Sequence, residues 1–542
     1  MLPALLLSLL GAGILPSLPK DDPAMPWLVR WDGSPGCTLP SVRPWPGEAV
    51  LACLEGLDTN ALTAVDRAQR RRLVERIDLR GSTRPGYGRH PFWRSGPNDR
   101  DFLSIDMGVR AYGHYDGRSV VTGRLTDSVY SIDTLPHDLV GGYSLHPRVD
   151  LLLGPEVSVW ARLRQLTEVS DRKRWYKAFN ADQGVYQTAL FAKDEKTPSM
   201  ARTSDWLEGA VETDLPWLRA QAGVQTLRWG SAPVNPLLFS GNAEPMGWAS
   251  IRKSVGPVRA EVLYGAPLGI TYAEERRLYA HRTSVDLSPW IPAEISFSEA
   301  MVSNAHPFQP LYLMPVFPLF FVGHYVGTPD NLLMDFDLSV RPTSSVRLTA
   351  ELFLDDLQNF LGFFSRDWGN KWGLALGAEL KGCLGSGSLD QFQITRIEPW
   401  VYTTSATDFE GKPYTTPVHF GTLLGHPSGP NSLTLDWNHR QDLSTEWSWT
   451  SEISALWKGT DLGSSWRDLN GIGMEDGMLQ VKAPRKEWLG GDIASRAMMS
   501  AGIEWRFHPQ WRLNGNLGGS WQDSLGHTEL GPVVAASLAW RM

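Results

Sequence analysis

From about Asp101 to the last residue, apolar and polar side chains alternate with a period of two, the pattern of strands that are greasy on one face and polar on the other. Leu332, Met334, Phe336, Leu338 and Val340 alternate with Leu333, Asp335, Asp337, Ser339 and Arg341. Val346, Leu348, Ala350, Leu352 and Leu354 then alternate with Arg347, Thr349, Glu351, Phe353 and Asp355, and Trp511, Leu513, Gly515 and Leu517 repeat the pattern near the end. Such segments number roughly eighteen to twenty. Many reach ten residues or more, the length a tilted strand needs to cross a bilayer, whereas strands of soluble sheets average about five or six. Aromatics gather near segment ends at Trp447, Trp457, Trp505, Trp511, Trp521 and Trp540, as in interfacial girdles. Connections are unequal: Phe507 to Gln510 suits a tight turn, while Thr403 to Pro430 and Thr460 to Lys486 are long and polar. A strand pattern that runs to the terminus lets the last strand close on the first. These features predict an all-β fold: a large transmembrane antiparallel barrel of about 18 strands.

Ahead of the strands the pattern is helical. Leu62, Val65, Leu73, Val74 and Ile77 recur at near-helical spacing after possible caps at Asp58, Thr59 and Asn60, and a second helix fits Gly47 to Leu57. Met1 to Pro19 carries no charge and holds a leucine-rich block, so it reads as a secretory signal cleaved after Gly11 to Ser17; an uncleaved anchor is the alternative. The expected organisation is a signal peptide over 1–19, a small periplasmic helical segment over 20–97 and an outer-membrane barrel over 98–542.

Composition narrows the partners. Fifty-one basic against fifty-nine acidic residues leave a net charge of −8, which argues against a nucleic-acid partner. The 24 Trp outnumber both the 19 Phe and the 14 Tyr, which favours interfaces and stacking surfaces. The three cysteines exclude a disulfide scaffold, although Cys37 and Cys53 could pair in an oxidising compartment, leaving Cys383.

No zincin, nucleophile-elbow or phosphate-loop motif occurs, and no cofactor or metal is expected. His419 and His426 fall in one Gly/Pro-rich stretch that reads as a solvated loop. Asp355 and Asp356, being adjacent on a strand, point to opposite faces and cannot flank one bond. Asp335 and Asp337 share a face at about 7 Å, compatible with inverting glycosidase chemistry but better read as part of an ion-paired lumen near Arg341 and Arg347.

At Leu227 to Pro245 the chain reads Leu-Arg-Trp-Gly-Ser-Ala-Pro-Val-Asn-Pro-Leu-Leu-Phe-Ser-Gly-Asn-Ala-Glu-Pro. This resembles the signature of the capsule assembly Wzi family of outer-membrane proteins, with Arg228, Trp229, Gly230, Leu237, Leu238, Ser240, Asn242, Ala243 and Pro245 fitting. Ala280-His281-Arg282, Pro329-Asp330-Asn331 and Glu351 to Gln358, ending Asp355-Asp356-Leu357-Gln358, follow in the family's order. The match spans roughly Gln225 to Gln358. It departs at Gly230-Ser231-Ala232-Pro233, where the family has Gly-Pro-Gly after Trp, and at Gly241-Asn242, where it has Asn-Asn. The resemblance implies a barrel of about eighteen strands with a periplasmic helical bundle. It further implies a non-catalytic, lectin-like protein of the cell outer membrane that attaches or organises capsular or extracellular polysaccharide. The partners are then that polysaccharide and outer-membrane lipid, and a monomer is compatible with the sequence. Arg228, Trp229, Gly230, Asn242, Pro245, Asp355, Asp356 and Gln358 are expected to fix a loop or plug in the lumen. Tyr414, His419, Trp466 and Arg467, on the long loops, are the candidates for touching sugar. A diffusion porin or transporter and an exported glycoside hydrolase are the competing functions.

Overall fold

The computed structural model describes residues 15–18, 22, 24–40, 42–77, 91–95, 101–116, 120–121, 134–135, 138–154, 156–170, 186–190, 200–215, 218–267, 276–304, 308–315, 317–326, 330–357, 365–404, 415–465, 468, 472–475, 478–481, 485–508, 510–524 and 527–541. Most of 1–19, the expected signal peptide, lies outside them, as do Gln358, Tyr414, Trp466 and Arg467.

Eighteen long antiparallel strands close into one barrel. They are β1 Asp101–Asp116, β2 Asp138–Leu153, β3 Val157–Ser170, β4 Ala201–Leu215, β5 Leu218–Gln225, β6 Met246–Val255, β7 Val258–Ala266, β8 Arg276–Asp286 and β9 Ala293–Asn304. The circuit continues through β10 Asn331–Thr343, β11 Val346–Leu357, β12 Asn370–Lys381, β13 Ser388–Ile397, β14 Ser432–Asp442, β15 Trp447–Lys458, β16 Ala494–His508, β17 Trp511–Ser524 and β18 His527–Arg541. Each strand pairs with its sequence neighbours, and β18 closes on β1 in a register that sets Trp540 against Val109 and Val534 against Tyr115. Closure leaves no barrel edge unpaired, the condition a strand structure must meet in hydrocarbon. Two short segments, Pro91–Ser95 and Tyr186–Leu190, pair onto β1 and β4.

The faces settle which side is wet. On β10, Phe336 and Leu338 are more than 40 % exposed whereas Asp335, Asp337 and Ser339 are buried. The apolar row therefore faces outward, the inverse of a soluble sheet and the arrangement of a barrel in lipid. At one end an outward aromatic chain runs Trp447, Trp505, Phe507, Trp511 and Trp540, beginning with two stacked indoles 5.2 Å apart. Most of the short turns, such as 256–257, 344–345 and 443–446, lie at this same end, the two-residue connection 525–526 being at the opposite one. The long connections, including 226–245, 305–330, 398–431 and 459–493, lie at the other.

Three helices, α1 Met25–Trp31, α2 Gly47–Gly56 and α3 Ala64–Ile77, pack around their own apolar cluster with a Cys37–Cys53 disulfide at its centre. Helix α1 carries no clear periodic signature and was not foreseen from sequence. The unit is tied to the short-turn end of the barrel. Trp27 Nε1 donates to Asp442 at 2.7 Å, and Arg30 bridges Asp442 and Asp66. Arg341 reaches Asp32 at 2.8 Å, and Arg219 joins Glu48 to Glu212. A fourth helix, α4 Leu319–Val326, lies in the β9–β10 connection.

Candidate functional site: a double strap in the lumen

Two of the long connections turn inward rather than outward. The first, 226–245, crosses the lumen as a strap whose ends meet in a two-residue ladder, Arg228–Trp229 against Phe239–Ser240. Its sequence explains the path. Pro233 and Pro236 remove donors and fix the backbone, and Gly230 passes the wall at φ +132°, where a Cβ would lie 2.4 Å from Glu351 Oε1. Five N–H groups in the middle of the strap point at the wall, which supplies acceptors at matching heights. Ser231 N–H donates to Asp337 Oδ1 at 2.6 Å, while Ala232 and Leu237 donate to the two oxygens of Glu351 at 2.6 and 2.9 Å. Val234 and Asn235 both donate to Gln393 Oε1, whose Nε2 returns a bond to the Asn235 carbonyl.

Arg228 closes the strap on itself. Its planar guanidinium donates to the carbonyls of Ala232, Pro233 and Val234 at 2.7 to 3.1 Å, satisfying oxygens that the prolines leave without a local ladder. Trp229 is fully buried against Phe239, edge to face at 5.4 Å. Asn242 N–H donates to Ser240 Oγ, and the Pro245 carbonyl faces His419 Nε2 at 3.3 Å.

The second strap, described over 398–404 and 415–431, lies across the first. Tyr402, at φ +65°, donates its N–H to Asp355 Oδ2 at 2.5 Å and its hydroxyl to the Leu237 carbonyl at 2.6 Å, and accepts from His426 N–H at 3.1 Å. Ser240 donates to the Leu424 and Gly425 carbonyls. A hairpin, Val418–His419 against Thr422–Leu423, carries this strap deep into the barrel. His419 is thus only 3 % exposed, not in the solvated loop its Gly/Pro-rich surroundings suggest. The reason is that the stretch is sewn to the first strap and shares one apolar core with it and with Leu263, Leu278, Ala300 and Phe353 of the wall. Burial pulls His426 down to about 3 and His419 down to about 4, so both imidazoles are neutral.

The straps also meet the helical unit. Backbone bonds join Arg43 and Arg228 at 3.0 and 3.3 Å, so the half of the lumen bounded by β6–β13 is filled from above and capped from below. Among the carboxylates, Asp355 turns in to hold Tyr402, and its neighbour Asp356 turns out, 51 % exposed beside Lys371 at 3.6 Å. Asp335 is completely buried, and Asp337 is held by Arg282 at 2.7 Å and by Ser231. This pair lies buried beneath the first strap.

The other half of the lumen is wet. A cavity of about 270 Å³ is lined by Arg110, Tyr112, His114, Arg440, Glu504 and Asn514, near its β1 and β14–β18 wall. Arg440, Arg506 and Arg512 converge on Glu504, with Arg440 and Arg506 also lying over the Trp27 ring. Arg110 is exposed to this space. Sequence reasoning did not single out Gln393 or Arg110, and named Glu351 only as the start of the matched run Glu351 to Gln358. Glu351 and Gln393 stand at inward positions of otherwise ordinary strands, and only the strap gives them a task.

No model of a known protein family and no curated protein matches this sequence. Solved structures do. One is Wzi, described as an outer membrane protein involved in group 1 capsule assembly in Escherichia coli and a carbohydrate-binding β-barrel. It superposes with a TM-score of 0.55 at 12 % identity, over 97 % of this chain and 99 % of that one. OpdK of Pseudomonas aeruginosa, solved with vanillate, aligns with a TM-score of 0.44 at 9 % identity, over 81 % of this chain and 98 % of that one. A BenF-like porin from Pseudomonas fluorescens Pf-5 aligns with a TM-score of 0.43 at 8 % identity, over 81 % and 99 %. The chain is an outer-membrane β-barrel. Its fold is Wzi-like, and at this identity the likeness speaks for the fold alone.

Proposed function

We propose that this barrel is a member of the capsule assembly Wzi family that binds and organises capsular or extracellular polysaccharide at the cell surface, without making or breaking a bond. On this reading 1–19 is a removed signal peptide, 20–97 a periplasmic helical unit and 98–542 the barrel. The observation that carries the proposal is the double strap. A diffusion pore needs a continuous water path, yet here half the lumen is spent on a core sealed by hydrogen bonds, and the helical unit caps it. Such an investment suits a rigid platform whose outer loops and wet cavity hold a ligand. Arg110 and Arg440 would favour acidic residues of a polysaccharide, with Tyr112 and Asn514 supplying stacking and hydrogen bonds. Trp466, Arg467 and Tyr414 remain the outer-loop candidates.

Deleting the gene should leave polysaccharide secretion intact while surface-retained polysaccharide falls. Normal retention would overturn the proposal. Diffusion is the second reading, drawn from the wet cavity, and steady current across a bilayer from the purified native barrel would favour it.

A further inference from the structure

Part of the β9–β10 connection folds down over the outside of the barrel. On β7–β9 the inward residues Leu263, Leu278, Ala280, Ala300 and Val302 belong to the lumen core. The residues between them, Tyr264, Tyr279 and Met301, point the opposite way, and together with Leu332 they are covered by Tyr312, Leu319 and Val322 from 308–326. Tyr279, on what would otherwise be a lipid-facing wall, is completely buried under this cover. The contact is close, since a Cβ on Gly323 would meet Met301 Cε at 3.1 Å.

The cover is fixed by a polar device. Glu299, on the outward row of β9, pairs directly across the ladder with His281 of β8, and both are buried. Glu299 Oε2 accepts the Leu319 N–H at 3.1 Å, capping the first turn of α4, where a carboxylate is favoured by the exposed N–H groups and the helix dipole. Two ionisable side chains on the outer wall are thereby kept from hydrocarbon. At the other end of the segment Tyr312 donates to Asp330 at 2.8 Å.

What the cover presents in turn is apolar. From Phe308 to Val326 there is no Asp, Glu, Lys or Arg. Helix α4 buries Leu319 and Val322 and turns Phe320, Phe321 and Tyr325 away from the barrel, the last two 63 % and 84 % exposed. This surface continues the outward row of Ile295, Phe336 and Leu338. Its height fits the upper margin of the bilayer. Glu299 stands opposite Met334, about ten residues above the 344–345 turn, which for strands tilted by ~40° is roughly 25 Å, the depth of a barrel's apolar band.

We infer that 308–326 is a lipid clamp: an interfacial helical pad that the barrel lays on its own outer wall, with Phe320, Phe321 and Tyr325 inserted among acyl chains of the outer leaflet. Continuity with the lipid-facing wall, absence of charge and the height of α4 all select acyl chains over water or a polar partner.

Nitroxide labelling of the full-length barrel in phospholipid vesicles tests this. Cys383 is an exposed free thiol in a short turn and serves, in the native protein, as the water-facing reference. In a Cys383→Ser background, labels at Phe321→Cys and separately at Tyr325→Cys should collide with oxygen several-fold more than with a water-soluble nickel chelate, the reverse of the Cys383 label. Adding Glu299→Ala should free the pad and sharpen the spectrum of the Phe321→Cys label, with the heat-dependent gel shift confirming that the barrel has folded. Nickel-dominated collision at both pad positions would overturn the inference. So would shielding from both reagents with cross-linking of two chains through Phe321→Cys, which would make the occupant a second copy.

Discussion

The first strap hangs on Glu351, and its removal has a calculable cost. The two carboxylate oxygens accept Ala232 and Leu237 N–H at 2.6 and 2.9 Å in a buried site. Glu351→Ala leaves two buried donors unmet, at about 1–3 kcal/mol each, or roughly 2–6 kcal/mol in all. At about 1.4 kcal/mol per tenfold, the open strap becomes between about thirty-fold and twenty-thousand-fold more populated. Glu351→Gln keeps one acceptor and sets an amide N–H against the other donor, so it should fall between native and alanine. Hydrogen exchange read by mass spectrometry over 228–240 reports this directly, because local opening governs exchange there. The barrel strands should stay protected, since their ladders do not pass through Glu351's side chain. Native-like protection of 228–240 in folded Glu351→Ala would refute the reasoning, as would loss of protection throughout the barrel.

Other outcomes follow from the same geometry. Arg228→Lys keeps the charge but loses the planar fork that serves Ala232, Pro233 and Val234, so 228–240 should exchange faster, at a cost of about 1–3 kcal/mol, with the gel shift unchanged. His426 is held near 3 against 6.5 when unfolded, first by burial and then by the Lys458 charge. Its depressed value means that the stabilising contribution is complete above about pH 6.5 and is lost as pH falls toward 3; at pH 4.5 about 2–3 kcal/mol is gone. Exchange of 398–431 should therefore accelerate on acidification, and less so in His426→Gln. Cys53→Ser opens a loop with a sequence separation of 16 and should cost the helical unit about 3 kcal/mol, seen as proteolysis of 25–77 while the barrel resists. Arg110→Ala should weaken binding of an acidic oligosaccharide to the purified barrel and leave neutral glycans unaffected; an equal loss for both would remove the cavity from the ligand site.

The barrel itself was legible from sequence, because lipid on one side and a polar interior on the other impose a two-residue period on every wall strand. Leu332 to Arg341 carry that rule in a form no soluble sheet would share once the lengths, the aromatic ends and the alternating short and long connections are added. Helices α2 and α3 were legible for a similar reason, since each repeats its own local period. What periodicity could not reveal is where the long connections go. Leu227 to Pro245 announced itself as unusual, yet its role depends on Asp337, Glu351 and Gln393, which lie more than a hundred residues away along the chain and look like ordinary inward polar positions. The buried place of His419 and the outward cover of α4 were hidden in the same manner. Glycine and proline mark a turn without giving its direction, and a carboxylate in a strand shows its task only when closure of the barrel brings a distant N–H to it. Local alternation thus made the wall, and only the closed tertiary structure decided what fills it and what lies against it.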